Sequence, residues 1–249
     1  MTATATVHPA REGASDRARS ITSAYDPGLI GIAPELFAPG KFSETLSTVV
    51  DLAQHTFGCD AASVILIADG TSYVAAVAST EEAARADVFQ IEHYEGPGLD
   101  AITELQAVTA TDLRLDSRWR FWAPLAAGLG FQSVLSLALT DDGPLGSLTL
   151  YYRSPSSFDA ELLAAGRAFG QQVSVAIAVA VEREQLVRAR DSRAVIGQAT
   201  GMLMERHGLT ADEAIAMLRR YSSHSNQKVR LLAEQVLSDR GLSELILRG

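Results

Sequence analysis

The chain contains one cysteine, Cys59, in 249 residues. A lone thiol excludes an intrachain disulfide framework and a zinc cluster built from several cysteines of one chain. Long hydrophobic runs are also missing. The most apolar stretch, Val173 to Val181, is far shorter than the roughly 20 residues a bilayer-spanning helix needs. The N-terminus has no apolar core of the kind a secretory signal carries. These absences lead us to expect a soluble, cytoplasmic protein with no membrane partner. Histidine is sparse, and His8, His55, His93, His207 and His224 lie far apart without ligand spacing, so neither a metal site nor a catalytic set is expected. Glu95-Gly-Pro-Gly98 lacks the spacing of a phosphate-binding glycine motif.

What is present is an ordinary globular composition, 47% hydrophobic and 20% charged, in a length that suits one large domain or two modest ones. The net charge of −9 argues against a nucleic-acid partner until its distribution is read. From Leu186 to Gly249 ten basic residues outnumber seven acidic ones, whereas the remainder carries eleven basic and twenty-three acidic. An acidic body followed by a mildly basic end suggests two modules with different partners, although so small an excess also fits ordinary scatter.

Residues 1–30 are polar and aperiodic and read as a disordered tail. A helix is expected from Ser43, placing Leu46, Val49, Val50, Ala53 and Phe57 on one face. Ser63–Ala68 and Ser72–Val77 flank Asp69-Gly70, a strong hairpin signal. Ser133–Thr140 and Leu145–Tyr152 flank a second turn. Between the hairpins we expect Gly96-Pro-Gly98, a helix near Leu99–Leu105, and a loop holding Trp119 and Trp122. The pattern is α+β, an antiparallel sheet with flanking helices.

From Asp159 to His207 the pattern is helical. Val173, Ile177, Ala180, Val187 and Ala194 approximate a coiled-coil seam, which points to a homodimer; a helix packed only on its own sheet is the competing reading. Gly208 and the capping box Thr210-Ala-Asp-Glu213 separate this helix from a second, which is expected to end at Tyr221. After a polar break, Ser222–Asn226, a third helix carries Val229, Leu232, Ala233 and Val236 inward and ends at Gly241.

Arg206, Arg219, Arg220, Lys228 and Arg230 gather near helix ends with Tyr221, Ser225 and Asn226. Cations can meet phosphates, a tyrosine can stack on an unpaired base, and an amide can read a base edge. Arg193–His207, followed by Gly208–Ala214, Leu218–Ser222 and Ser225–Glu234, resembles the ANTAR domain. The acidic body, with Glu95-Gly-Pro-Gly-Leu99 and the hairpin Phe131–Tyr152, resembles a GAF domain.

The resemblance implies an α+β GAF domain over 31–180, a connector coiled-coil helix over 160–192, and an all-α, three-helix ANTAR domain over 186–249. It further implies a non-catalytic regulator that binds RNA hairpins with short apical loops in nascent transcripts and promotes antitermination. The expected RNA-binding residues are Gln198, Thr200, Arg206, Arg219, Arg220, Tyr221, Ser225, Asn226, Lys228 and Arg230. Thr200 stands where many relatives carry lysine. No cofactor is expected; the GAF body leaves room for an unidentified small-molecule effector. Two other functions fit the same residues: a DNA-binding regulator with a helix-turn-helix-like end, and a signalling dimer that binds only protein.

Overall fold

The computed structural model describes residues 6–7, 36, 40–68 and 70–238. The chain divides into two compact units, Met1–Val181 and Glu182–Gly249. In chain order the elements are β1 (Thr6–Val7), α1 (Phe42–Phe57), β2 (Ala61–Ala68), β3 (Ser72–Ala78), α2 (Glu81–His93), α3 (Pro97–Glu104), β4 (Val108–Ala110), α4 (Trp122–Gly128), β5 (Ser133–Thr140), β6 (Pro144–Tyr152), α5 (Ala160–His207), α6 (Ala211–Ser225) and α7 (Val229–Ser238).

The first unit is built on a sheet of order β1-β3-β2-β6-β5-β4. Both expected hairpins form, β2 with β3 and β5 with β6, and β2 pairs antiparallel with β6 at the centre. Gly70 turns the first hairpin at φ +74; Asp69 and Gly241 lie outside the described residues. The tail expected over 1–30 also lies outside them, apart from Thr6–Val7, which pair parallel with Val77 and Ala78 of β3. Two consecutive β-branched residues suit an edge strand, a signal too short to show as periodicity.

The sheet's two faces differ in chemistry. On one, Ala62, Val64, Leu135, Leu137, Leu139, Leu148, Leu150 and Tyr152 form a core with α1 and the first part of α5. Helix α1 starts one residue earlier than expected because the Glu44 carboxylate reaches back to the Lys41 N–H at 2.9 Å. Gly166 and Gly170 let α5 approach β5, where a Cβ on Gly166 would stand 3.0 Å from Leu137. Phe169 of α5 meets Phe57 of α1 edge to face at 5.3 Å. A window of α5 is apolar and long enough to cross a membrane, but half of that window is buried inside the fold, as in a core helix.

On the opposite face lie α2, α3 and α4. Neither α2 nor α4 was legible in the sequence. The buried positions of α2 are Ala83, Ala84, Ala86, Asp87 and Gln90, so its inward stripe is small or polar and carries no apolar period. Helix α4 is only seven residues long and contains Pro124. Trp119 and Trp122 are both buried, packed edge to face at 5.4 Å.

The second unit closes around Ala199 and Leu203 of α5, Ala214 and Leu218 of α6, and Leu232, Ala233 and Val236 of α7. Gly208 adopts the left-handed conformation at φ +66, and its N–H reaches Met204 O at 2.9 Å. Thr210 then opens α6 as expected: its N–H donates to Glu213 Oε2 at 2.8 Å and its hydroxyl accepts from the Glu213 N–H. The polar segment Ser222–Ser225 is helical, contrary to expectation. Ser223 and Ser225 return their hydroxyls to the carbonyls one turn back, Arg219 and Tyr221, and the helix ends at its cap, Asn226.

Candidate nucleic-acid interface

The junction of α6 and α7 is made by Asn226. Its left-handed backbone, φ 51, caps α6, and its N–H bonds to Ser222 O. Asparagine tolerates this conformation better than most residues. The Gln227 N–H also returns to Ser222 O at 3.2 Å, and Lys228 O accepts from the Leu231 and Leu232 N–H groups to open α7. The turn carries Arg219, Arg220, Ser225, Asn226 and Lys228 on exposed positions. Among the described residues none of Arg219, Arg220 and Lys228 has an ion pair, so their charge is uncompensated by a carboxylate.

The first unit holds a different site, which the sequence reading missed. Against the polar face of the sheet, Tyr151 of β6 donates to Asp87 Oδ1 of α2 at 2.7 Å. Gln90 Nε2 approaches the same oxygen at 3.3 Å, and Gln90 Oε1 accepts from the Gly98 N–H at 2.8 Å. Burial pushes the Asp87 carboxyl up to about 7, against hydrogen bonds that favour its charge. Burial and the adjoining Asp87 also push the Tyr151 hydroxyl well up. The Gly96-Pro-Gly98 loop covers Gln90 closely: a Cβ on Gly96 would lie 2.3 Å from Gln90 Cγ. Glu95 accepts from the Phe121 and Trp122 N–H groups at 2.7 and 3.0 Å and so anchors the start of α4.

A sequence model described as the GAF domain matches residues 41–178, and one described as the ANTAR domain matches residues 184–237. The chain belongs to the GAF–ANTAR family. No curated protein matches it. Among solved structures the GAF domain of an Acinetobacter phosphoenolpyruvate-protein phosphotransferase is similar at TM-score 0.50 and 15% identity, covering 63% of this chain and 94% of that one. The corresponding GAF domain from Coxiella burnetii gives 0.50 and 17%, over 66% and 96%. The photosensory core of a Stigmatella aurantiaca phytochrome gives 0.54 and 13%, over 88% and 47%. At these identities the likeness concerns the fold alone. ANTAR domains are RNA-binding antitermination modules and GAF domains are sensor modules; both are regulatory.

Within the ANTAR unit the RNA-site residues fall into distinct environments. Gln198 is exposed on α5, and Arg206 is half-buried near its end. Thr200 is buried, 6% exposed, and its hydroxyl donates to Ile196 O at 2.8 Å. Tyr221 is half-buried against the three-helix core. Arg230 is half-buried and paired with Glu234 at 2.9 Å.

The five seam residues divide by burial. Val173, Ile177 and Ala180 are buried, the first two in the GAF core. Burying a valine or isoleucine is worth roughly 1.5–3 kcal/mol, which the GAF unit would lose if they turned to a partner. Val187 and Ala194 are exposed on α5. Cys59 is buried and its thiol is pushed up by desolvation, the condition of a packed and inert cysteine.

Proposed function

We propose that the ANTAR unit binds RNA hairpins with short apical loops in nascent transcripts and favours the antiterminated form, so that polymerase reads on. The observation that carries this reading is the α6–α7 turn, where Arg219, Arg220 and Lys228 stand exposed and, among the described residues, without ion pairs beside Asn226. Arginine and lysine contact phosphates, while unstacked loop bases offer edges to an amide and faces to a ring. Gln198, Arg206, Ser225, Tyr221 and Arg230 supply further contacts in this reading.

The GAF unit acts as sensor, with a small-molecule effector as its input, and the protein works as a cytoplasmic, non-catalytic homodimer. Val187 and Ala194 are the seam positions open to a second copy.

Fluorescence anisotropy with labelled hairpins, in the presence of duplex DNA competitor at one salt concentration, tests the reading. Selective retention of hairpins supports it. Equal or stronger competition by duplex DNA would establish the helix-turn-helix alternative, and absence of binding to both would leave the protein-binding dimer.

A further inference from the structure

We propose that Asp87, enclosed by Ser63, Gln90 and Tyr151, is a proton-binding site of the GAF unit, and that its neutral form latches α2 to the sheet. This goes beyond the RNA-binding reading and stands without it. The motivating geometry is a stripe of hydroxyls on one face of the sheet. Ser63 of β2 pairs in register with Thr149 of β6, which pairs with Ser136 of β5, and Ser136 and Thr149 share a hydrogen bond at 2.8 Å. All three are buried. Asp87 is lowered onto this stripe with 0% exposure.

Asp87 is fully buried, and burial opposes its charge. Asp87 Oδ1 accepts from Tyr151 and Gln90, whereas Oδ2 is buried with no partner among the described residues. Ser63 Oγ is likewise buried without a partner, and it lies near enough to favour the charged form of Asp87 and Tyr151 while falling outside hydrogen-bond geometry. A small rotation lets Ser63 Oγ and Oδ2 meet whether the proton sits on the serine or on the carboxyl, so the two states differ in charge rather than in hydrogen bonds. An ionised Asp87 leaves a buried charge with no cation to offset it.

Among the described residues the surroundings supply no such cation. Ser63 faces Asp87 from β2, Tyr151 from β6 and Gln90 from its own helix. From α3 only the Gly98 amide reaches Gln90, and Asp100 is held by the Trp119 indole at 2.7 Å. From α4 the Trp122 indole donates to Ala86 O. Tyr73 of β3 packs in a separate cluster with Ile65 and Leu99, and no charged group perturbs Asp87.

The sign follows. A carboxyl whose folded value is raised from 3.8 to about 7 stabilises the fold fully below pH 4, and that contribution is lost as pH rises through 7. Trp119 and Trp122 are the chain's two tryptophans, so their fluorescence reports unfolding of the GAF unit.

The test compares the full chain with Asp87→Asn, which mimics the neutral acid, in fluorescence melts at pH 5 to 8. The expected result is a melting temperature that falls with pH in the unmodified protein and falls less in Asp87→Asn, so that the gap between them widens in favour of the variant. Parallel profiles would overturn the proposal. Carboxyl NMR of aspartate-labelled protein provides a second reading independent of whether Asp87→Asn folds. One resonance should titrate near pH 7 and move higher in Tyr151→Phe, which removes a donor to the charged form. If every aspartate titrates below pH 5, Asp87 does not hold a proton and the latch is refuted.

Discussion

Arg230 stands 2.9 Å from Glu234, one turn further along α7, whereas Lys228, two residues earlier, has no ion pair among the described residues. This difference separates two cations that the sequence treats alike. Lys228→Ala should weaken all hairpins by a similar factor and reduce the slope of log affinity against log salt by about 1. Arg230→Ala should cost less, and Glu234→Gln should strengthen binding by releasing the guanidinium. Anisotropy titrations at three salt concentrations check the order; a larger loss for Arg230→Ala than for Lys228→Ala would contradict it.

Tyr221 is half-buried against the ANTAR core, so its ring has a packing role as well as a proposed stacking role. Tyr221→Ala should lower the melting temperature of the ANTAR unit and reduce hairpin affinity together. Stacking on a base is worth roughly 1–3 kcal/mol, so the affinity loss should remain at temperatures where the variant is fully folded. Circular dichroism and anisotropy on the same samples distinguish stacking from unfolding.

The Thr210–Glu213 box predicts acid lability at the start of α6. The Thr210 backbone N–H and hydroxyl hold the Glu213 carboxyl below its ordinary value of 4.5. Its stabilisation is therefore present above that value and lost as pH falls through the lowered folded value. Thr210→Ala should cost about 1 kcal/mol at neutral pH, measured by denaturant unfolding of the ANTAR unit. Glu213→Gln should flatten the acid limb of the same curve.

The seam can be dissected by position. Ile177→Asp places a charge in the GAF core and should unfold that unit. Val187→Asp changes an exposed residue, 48% accessible, and should leave both units folded while shifting a dimer toward monomer. Light scattering beside tryptophan fluorescence reads the two effects separately. Retention of a dimer by Val187→Asp would remove this residue from the interface.

Where the sequence carried a strong local code, the structure follows it. Gly208 and Thr210-Ala-Asp-Glu213 define a helix boundary because their backbone chemistry is local. The two hairpins are legible for the same reason. Helix α2 is illegible because its inward side carries Ala83, Ala86, Asp87 and Gln90, a face designed around polar contacts with strands that are distant in sequence. The Asp87 cluster was hidden with it: Ser63 and Tyr151 meet there only through the pairing of β2 with β6. Val173 and Ile177 show the same spacing whether they face a partner helix or a sheet, so spacing alone does not reveal that they pack in the GAF core. Thr200 is buried with its hydroxyl turned back to Ile196 O, an environment that its polar side chain does not announce in the sequence.

The hydroxyl stripe places thermal robustness and sensing in opposition. Ser147 Oγ, on the same face of β6 as Thr149, is buried without a hydrogen-bond partner among the described residues and lies 3.0 Å from where a Cβ on Gly98 would stand. An alanine at Ser147 would remove an oxygen whose desolvation costs about 1–3 kcal/mol and would fit the same space. A laboratory selection for heat resistance alone should therefore erode this interior first, yielding a GAF unit that is harder to melt and poorer in groups able to bind anything.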